Sequence, residues 1–179
     1  MEPTAAGKVE IAIFAGGCFW CMEPVFDGTE GVISVTPGYT GGTTPNPSYQ
    51  EVCAGESGHA EAVRVVFDPE RVGFRELLNI FWRNIDPTSR NRQFCDFGTQ
   101  YRTAVFYTNA EQQRVAEESR SELAQSRRFE RSIATEIVAA GEFYPAEEYH
   151  QQYYKKNPER YRMYHEACGR KSRLKEIWD

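Results

Sequence analysis

The sequence predicts an α+β fold, a single-domain two-layer sandwich, and three observations carry that expectation. The chain has 179 residues, enough for one core of ordinary size and too few for two comfortable ones. Strand-like apolar runs alternate with helical patterns in the order β-α-β-β-α-β, which is the order of a ferredoxin-like split βαβ core: a sheet with antiparallel pairs and helices on one face. Gly, Pro, Thr and Asn gather in long loops, and no repeat, linker or low-complexity tract divides the chain.

Residues 8–15 are β-branched and mostly apolar and read as the first strand, ended by Gly16 and Gly17. A short helix opens at Cys18 and runs toward Phe26 or Asp27. Residues 31–36 read as the second strand, and a loop follows from Pro37 to about Tyr49. A loop that long inside a compact domain is usually functional or disordered. Ala60 to Phe67 is the third strand, stopped by Asp68 and Pro69. Phe74, Leu77, Leu78, Phe81 and Trp82 then recur with the spacing of an amphipathic helix. A second polar loop, residues 86–99, carries Cys95 and Asp96. Tyr101 to Tyr107 is the fourth strand, and Asn109 caps a charged helix to about residue 127. Ile133 to Ala139 is a fifth strand, and Ala146 to Lys156 a helix ended by Asn157 and Pro158. The core thus spans about residues 9–156 of a single domain, 1–179. An extended C-terminal tail, 157–179, carries Cys168, and its Leu174, Ile177 and Trp178 are expected to dock on the body.

Charge and composition remove several function classes. The chain has 21 Lys and Arg against 26 Asp and Glu, a net charge of −5, opposite in sign to a general binder of nucleic acid or anionic membranes. Its most apolar stretch, Ile11 to Phe14, breaks at Gly16, so no segment approaches membrane-spanning length. Lys155, Lys156 and Arg160 interleave with Tyr153, Tyr154, Tyr161 and Tyr164, a pattern that stacks on bases in some proteins but more often is a packed helix face with snorkelling rims. The N-terminus lacks a basic segment followed by an apolar run, so the expectation is a cytoplasmic protein, or a periplasmic one if an upstream signal was removed. A monomer is the default expectation. Five cysteines, Cys18, Cys21, Cys53, Cys95 and Cys168, are an odd and sparse set that fits redox or metal chemistry better than a secreted disulfide framework.

Cys18 follows a strand and two glycines and stands where a helix begins. The unpaired N–H groups and positive dipole end there favour a thiolate, although most free cysteines are small buried hydrophobes. Cys21 completes C-x-x-C, a spacing open to an internal disulfide or to two zinc ligands. His59 and Glu61 form the H-x-E of nucleobase deaminases, but the C-x-x-C comes first, Gly17 replaces the proline, and a strand follows where that motif wants a helix. Zinc is therefore the minority reading. Glu61 heads the third strand; in an aromatic pocket, desolvation would keep it protonated as a general acid, whereas an exposed strand end would leave it a solvated carboxylate. Tyr49 and Tyr101 leave the two loops and are either core residues with wet tips or donors to a bound oxygen.

Five motifs taken together resemble the type A peptide methionine sulfoxide reductases. They are Gly17-Cys18-Phe19-Trp20-Cys21-Met22-Glu23, the loop from Gly38 to Tyr49, Glu51-Val52-Cys53-Ala54-Gly55, Gly58-His59-Ala60-Glu61-Ala62 and Asp96-Phe97-Gly98-Thr99-Gln100-Tyr101-Arg102. Phe143 to Gln151 and Lys156-Asn157-Pro158 extend the match from about Val9 to Trp178. The resemblance implies reduction of methionine-S-sulfoxide, free or in proteins, as repair under oxidative stress, with no metal or organic cofactor. It implies Cys18 as the thiolate that attacks sulfur and Glu61 as the acid, with Tyr49 and Tyr101 helping and Asp96 acting through a water or the network. Phe19 and Trp20 would cradle the substrate methyl group. The sulfenic acid left on Cys18 would condense with a second thiol, and thioredoxin would reduce the resulting disulfide. Cys168 is the favoured resolving thiol and Cys21 a competitor or relay, because a bridge at the first helical turn risks strain; Cys53 and Cys95 are expected to be structural or bystanders.

Overall fold

A computed structural model of the chain describes residues 7–179; residues 1–6, on which the reading of the N-terminus as lacking a signal rests, lie outside the described residues. In chain order the elements are β1 (Glu10–Gly16), α1 (Phe19–Asp27), β2 (Val32–Thr40), α2 (Tyr49–Cys53), β3 (Ala60–Phe67) and α3 (Phe74–Arg83). A short hairpin, β4 (Arg92–Gln93) and β5 (Asp96–Phe97), leads through a 3₁₀ turn at Thr99–Tyr101 to β6 (Thr103–Tyr107) and α4 (Ala110–Gln125). Then come β7 (Glu136–Ala139), β8 (Phe143–Pro145), a second 3₁₀ turn at Glu148–His150, α5 (Tyr153–Lys156), α6 (Pro158–Cys168) and α7 (Arg170–Trp178).

The main sheet has the order β7-β6-β1-β3-β2-β8. Its centre, β6-β1-β3-β2, is antiparallel throughout and is the split βαβ core that the element order predicts. After the long helix α4 the chain returns as β7, parallel to β6, as a crossover connection requires. β1 is apolar enough to be covered on both faces, with Ala12, Phe14 and Ala15 fully buried. Phe14 stacks between Phe26 of α1 and Phe81 of α3, ring centres 5.2 and 5.0 Å away, and so fixes both helices on one side of the sheet. Among the described residues no helix is long and apolar enough to cross a membrane.

Three of the segments that differ from the sequence expectation do so for a local reason. β2 runs four residues past Thr36, because Gly38–Thr40 pair with Ala60–Ala62 on one side and with β8 on the other. Pro37 lies inside that strand, and its carbonyl accepts from the Ala146 N–H at 2.9 Å. The helix expected over Ala146–Lys156 is broken at Gln152, whose φ is +52°. There the Gln152 N–H turns away to donate to both carboxylate oxygens of Glu23, each at 3.0 Å, a competition that backbone helix bonding loses. The C-terminal tail is helical, α6 and α7 meeting at Gly169 with φ +74°, the left-handed turn that glycine adopts without a Cβ penalty. Trp178 docks as expected, its indole N–H donating to the Ile85 carbonyl at 3.2 Å.

Candidate active site

The site is assembled where β1 hands over to α1. Gly17 makes the turn with φ +86°, and a Cβ there would lie 2.6 Å from Cβ of Gln93, so only glycine fits. Cys18 is the N-cap of α1, with φ −53° and ψ 119°, and its carbonyl accepts the first helical bonds from Cys21 and Met22. The next N–H, that of Phe19, is one of the orphan donors of a helix start. It is satisfied by the Glu61 carboxylate, which accepts at 3.2 Å. A residue from β3, paired in register with Tyr39 of β2, therefore closes the helix that begins at the cysteine.

Glu61 is only 2% exposed. Burial pushes its carboxyl up to about 8 from 4.5, against the opposing hydrogen bond from Phe19, with Asp96 and Cys21 adding to the rise. A helix N-terminus favours the carboxylate, but desolvation wins here, and the group holds its proton near neutrality. Tyr49 and Tyr101 are likewise pushed upward, first by burial and then by neighbours that include Glu61, so both are neutral hydroxyl donors. Asp96 is raised by burial, opposed by a hydrogen bond from Tyr164 and by Arg170.

Cys18 and Cys21 are both buried free thiols, three residues apart at the start of α1. Burial and the neighbouring Cys21 push Cys18 up, whereas the neighbouring Cys18, with help from Arg170, holds Cys21 down. Of the two, Cys21 is the thiol that ionises first. This modifies the expectation that the helix terminus lowers Cys18 by itself. Because ψ of Cys18 is outside the helical range, the two thiols are not bound to ordinary helical i, i+3 spacing.

The remaining expected residues separate into two groups. Phe19 is 1% exposed and packs on Tyr39 and His150 with ring centres 5.7 and 5.1 Å away. Trp20 is half-buried; its ring stacks on Tyr153 at 3.8 Å and its N–H donates to Nδ1 of His150 at 2.9 Å. Tyr49 is held by its backbone, whose N–H donates to Glu147 at 3.1 Å. Cys168 stands apart from Cys18 in bonding: it forms a disulfide with Cys95, Cα atoms 5.0 Å apart. Cys95 is therefore no bystander, and Cys168 is not a free thiol facing Cys18 in this structure. The turn at Phe94, φ +54°, brings Cys95 out of the β4–β5 hairpin to the end of α6. Cys53 is exposed and free. His59, half of the H-x-E pair, uses both ring nitrogens, one accepting from Gly42 and the other bonded to the Thr44 carbonyl, so it has none left for a metal.

Four residues escaped the sequence reading. Tyr164 donates to Asp96 and meets Trp20 edge-on at 6.0 Å; Tyr161 lies beside Cys21. His150 orients Trp20, and Glu147 accepts from both Tyr49 and the Tyr39 hydroxyl. The signal for the first two was the spacing Tyr161, Tyr164, Cys168, one face of a helix.

A family model described as peptide methionine sulfoxide reductase matches residues 10–179. A protein of Bacillus licheniformis named peptide methionine sulfoxide reductase MsrA is 52% identical over 173 residues, 97% of this chain and 96% of that one. Among solved structures, methionine sulfoxide reductase A of Corynebacterium diphtheriae is 40% identical with a TM-score of 0.75, over 84% of this chain and 76% of that one. Mxr1 from Saccharomyces cerevisiae in reduced form is 34% identical with a TM-score of 0.78, over 85% of this chain and 87% of that one.

Proposed function

Because the chain belongs to the peptide methionine sulfoxide reductase family, we propose that it carries out the family's reduction at Cys18 with Glu61 as the acid. It is an enzyme that reduces methionine sulfoxide to methionine. The observation that carries the assignment of roles is Glu61: a carboxyl with pKa about 8, buried, bonded to the helix turn immediately after the cysteine. One of its oxygens accepts from Phe19, which leaves the other to hold the proton and present it to a sulfoxide oxygen.

Cys18 passes its proton to the thiolate of Cys21, the neighbour that ionises first, and attacks the sulfoxide sulfur as thiolate. Glu61 gives its proton to the sulfoxide oxygen, and the hydroxyls of Tyr49 and Tyr101 stabilise the charge that develops there. Asp96 holds the network through the hydrogen bond it accepts from Tyr164. The sulfur of the substrate gains two electrons and leaves as methionine, the oxygen stays on Cys18 as sulfenic acid, and Glu61 recovers a proton from solvent. Phe19 and Trp20 form the apolar wall for the substrate methyl group, the aromatic packing around them excluding water.

Cys21 is the resolving thiol in this reading, which is supported by its place three residues after Cys18 and by the engagement of Cys168 with Cys95. Condensation of its S–H with the Cys18 sulfenic acid forms Cys18–Cys21 and releases water, and a dithiol of the thioredoxin class would restore both thiols. Preference for the S epimer and action on both free and protein-bound sulfoxide belong to the same proposal.

The test is Glu61→Gln. Sulfoxide reduction should slow by about 10²–10³-fold, within the range for losing a general acid, while alkylation of Cys18 changes little. Equal reductase activity in the variant and the parent would remove Glu61 from the mechanism.

A further inference from the structure

Cys18 is 6% exposed and Glu61 2%, so a sulfoxide carried on a peptide cannot reach them without movement of what covers them. Tyr164 bridges two residues of the site: its hydroxyl donates to Asp96 and its ring meets Trp20 edge-on. Tyr164 belongs to α6, a helix of eleven residues with none buried. An element with so little apolar packing is among the cheapest to open.

What holds it is covalent. Cys95 immediately precedes Asp96, and Cys168 lies one helical turn beyond Tyr164, so the Cys95–Cys168 disulfide staples together the two backbones that carry the Tyr164–Asp96 hydrogen bond. Beyond the staple, Arg170 is anchored independently. It is 3% exposed and donates to the carbonyls of Gly16 and Asn84 at 2.9 and 2.8 Å, so α6 has a fixed base from which to swing. The staple is also reachable: Cys168 lines a cavity of about 340 Å³ with Arg92, Phe94, Arg131 and Arg173, and Cys95 is exposed.

We propose that the Cys95–Cys168 disulfide is a redox-controlled latch that sets which sulfoxides are accepted, with Tyr164 as the specificity-determining side chain it holds. With the latch closed, Tyr164 roofs the site and only a small sulfoxide, such as the free amino acid, enters readily. A dithiol opens it: one dithiol sulfur attacks the disulfide, the S–S bond breaks, and the second sulfur completes the exchange. The dithiol is oxidised to its own disulfide, and Cys95 and Cys168 become thiols. Tyr164 is then free to leave Asp96 and admit a peptide. This rests on the reading of Cys18 and Asp96 as site residues, but its test does not depend on turnover.

The experiment compares three forms: the protein with the latch intact (three free thiols by titration), the same protein fully reduced by dithiothreitol and desalted, and the Cys95→Ser/Cys168→Ser variant. Alkylation of Cys18 is followed by peptide mapping with iodoacetamide and with a maleimide attached to a pentapeptide. The ratio of the bulky to the small rate should rise by about tenfold from the latched form to both open forms, a difference of the size expected for steric exclusion. First-turnover rates with peptide-bound and free methionine sulfoxide should show the same change of ratio. Equal alkylation ratios in all three forms would overturn the latch. Absence of methionine from all three forms, with the alkylation ratio still changing, would instead overturn the chemistry assigned to Cys18 and leave the latch standing. A Tyr164→Ala variant keeps the disulfide but lacks the roof, and should give the open ratio even when latched; a latched ratio in that variant would also overturn the proposal.

Discussion

The carboxylate of Glu61 accepts the hydrogen bond of the Phe19 N–H, so one buried acid both completes the start of α1 and stands at the thiol that begins it. Strand β3 supplies the acid and the β1–α1 turn supplies the thiol. Their relative placement is fixed by the sheet register rather than by any loop. Sites built on paired strands and helix termini hold their geometry better than sites on loops.

The raised pKa of Glu61 predicts how rate and stability depend on pH. Reduction that needs its proton should decline as pH rises through about 8. In the folded state this carboxyl binds a proton more tightly than in the unfolded chain, so its stabilising contribution is complete below about 4.5 and is lost as pH rises through about 8. Glu23, pushed up to about 7 by burial, adds the same trend over a narrower window. Glu61→Gln should therefore gain melting temperature relative to the parent as the buffer moves from pH 5 to pH 9. Differential scanning fluorimetry across that range checks it, and a constant difference would contradict the raised pKa.

Cys21→Ser separates attack from resolution. Methionine should still form once per chain, more slowly because the proton acceptor is gone, and Cys18 should persist as a sulfenic acid that dimedone captures. The parent should yield little dimedone adduct and a Cys18–Cys21 disulfide instead. Rapid formation of a Cys18–Cys168 bridge in the parent would return the resolving role to Cys168.

Trp20→Ala removes the half-buried wall held by Tyr153 and His150. The expected result is a KM for methionine sulfoxide raised by about tenfold with a smaller change in kcat, the signature of lost uniform binding. Steady-state kinetics with the free amino acid reads this directly; a fall in kcat with KM unchanged would move Trp20 from binding to chemistry.

Trp178→Ala tests the docking of the last helix. Trp178 is 9% exposed, donates to Ile85 and lies under Arg83 and Arg128 at 5.2 and 5.4 Å. Its truncation should cost about 3 kcal/mol in urea unfolding, the range for a buried tryptophan. A loss below half that would mean that α7 adds little to the core.

Much of this was legible in the sequence because it is local. The four core strands, the amphipathic α3 and the Asn109 cap of α4 are written in periodicity and in single residues such as Asn109, whose side chain accepts from Gln112. Cys18 and Glu61 stood out because a glycine turn and a motif mark them. What escaped depends on contacts distant in sequence. Gly38–Thr40 look like loop until β8 supplies a partner more than a hundred residues later. Gln152 looks helical until Glu23 takes its N–H. The pairing of Cys95 with Cys168, 73 residues apart, needs the hairpin turn at Phe94 and the run of α6 together, and no spacing announces it. The spacing of Tyr161 and Tyr164 marks a helix face, but which surface that face covers is a tertiary fact.

The most direct test of the central claim is a single turnover of the reduced protein with each epimer of methionine sulfoxide and no added reductant, followed by mass mapping of every cysteine. The account predicts one methionine per chain from the S epimer, with Cys18 joined to Cys21. Methionine from neither epimer, or methionine formed while Cys18 remains an unmodified thiol, would contradict it.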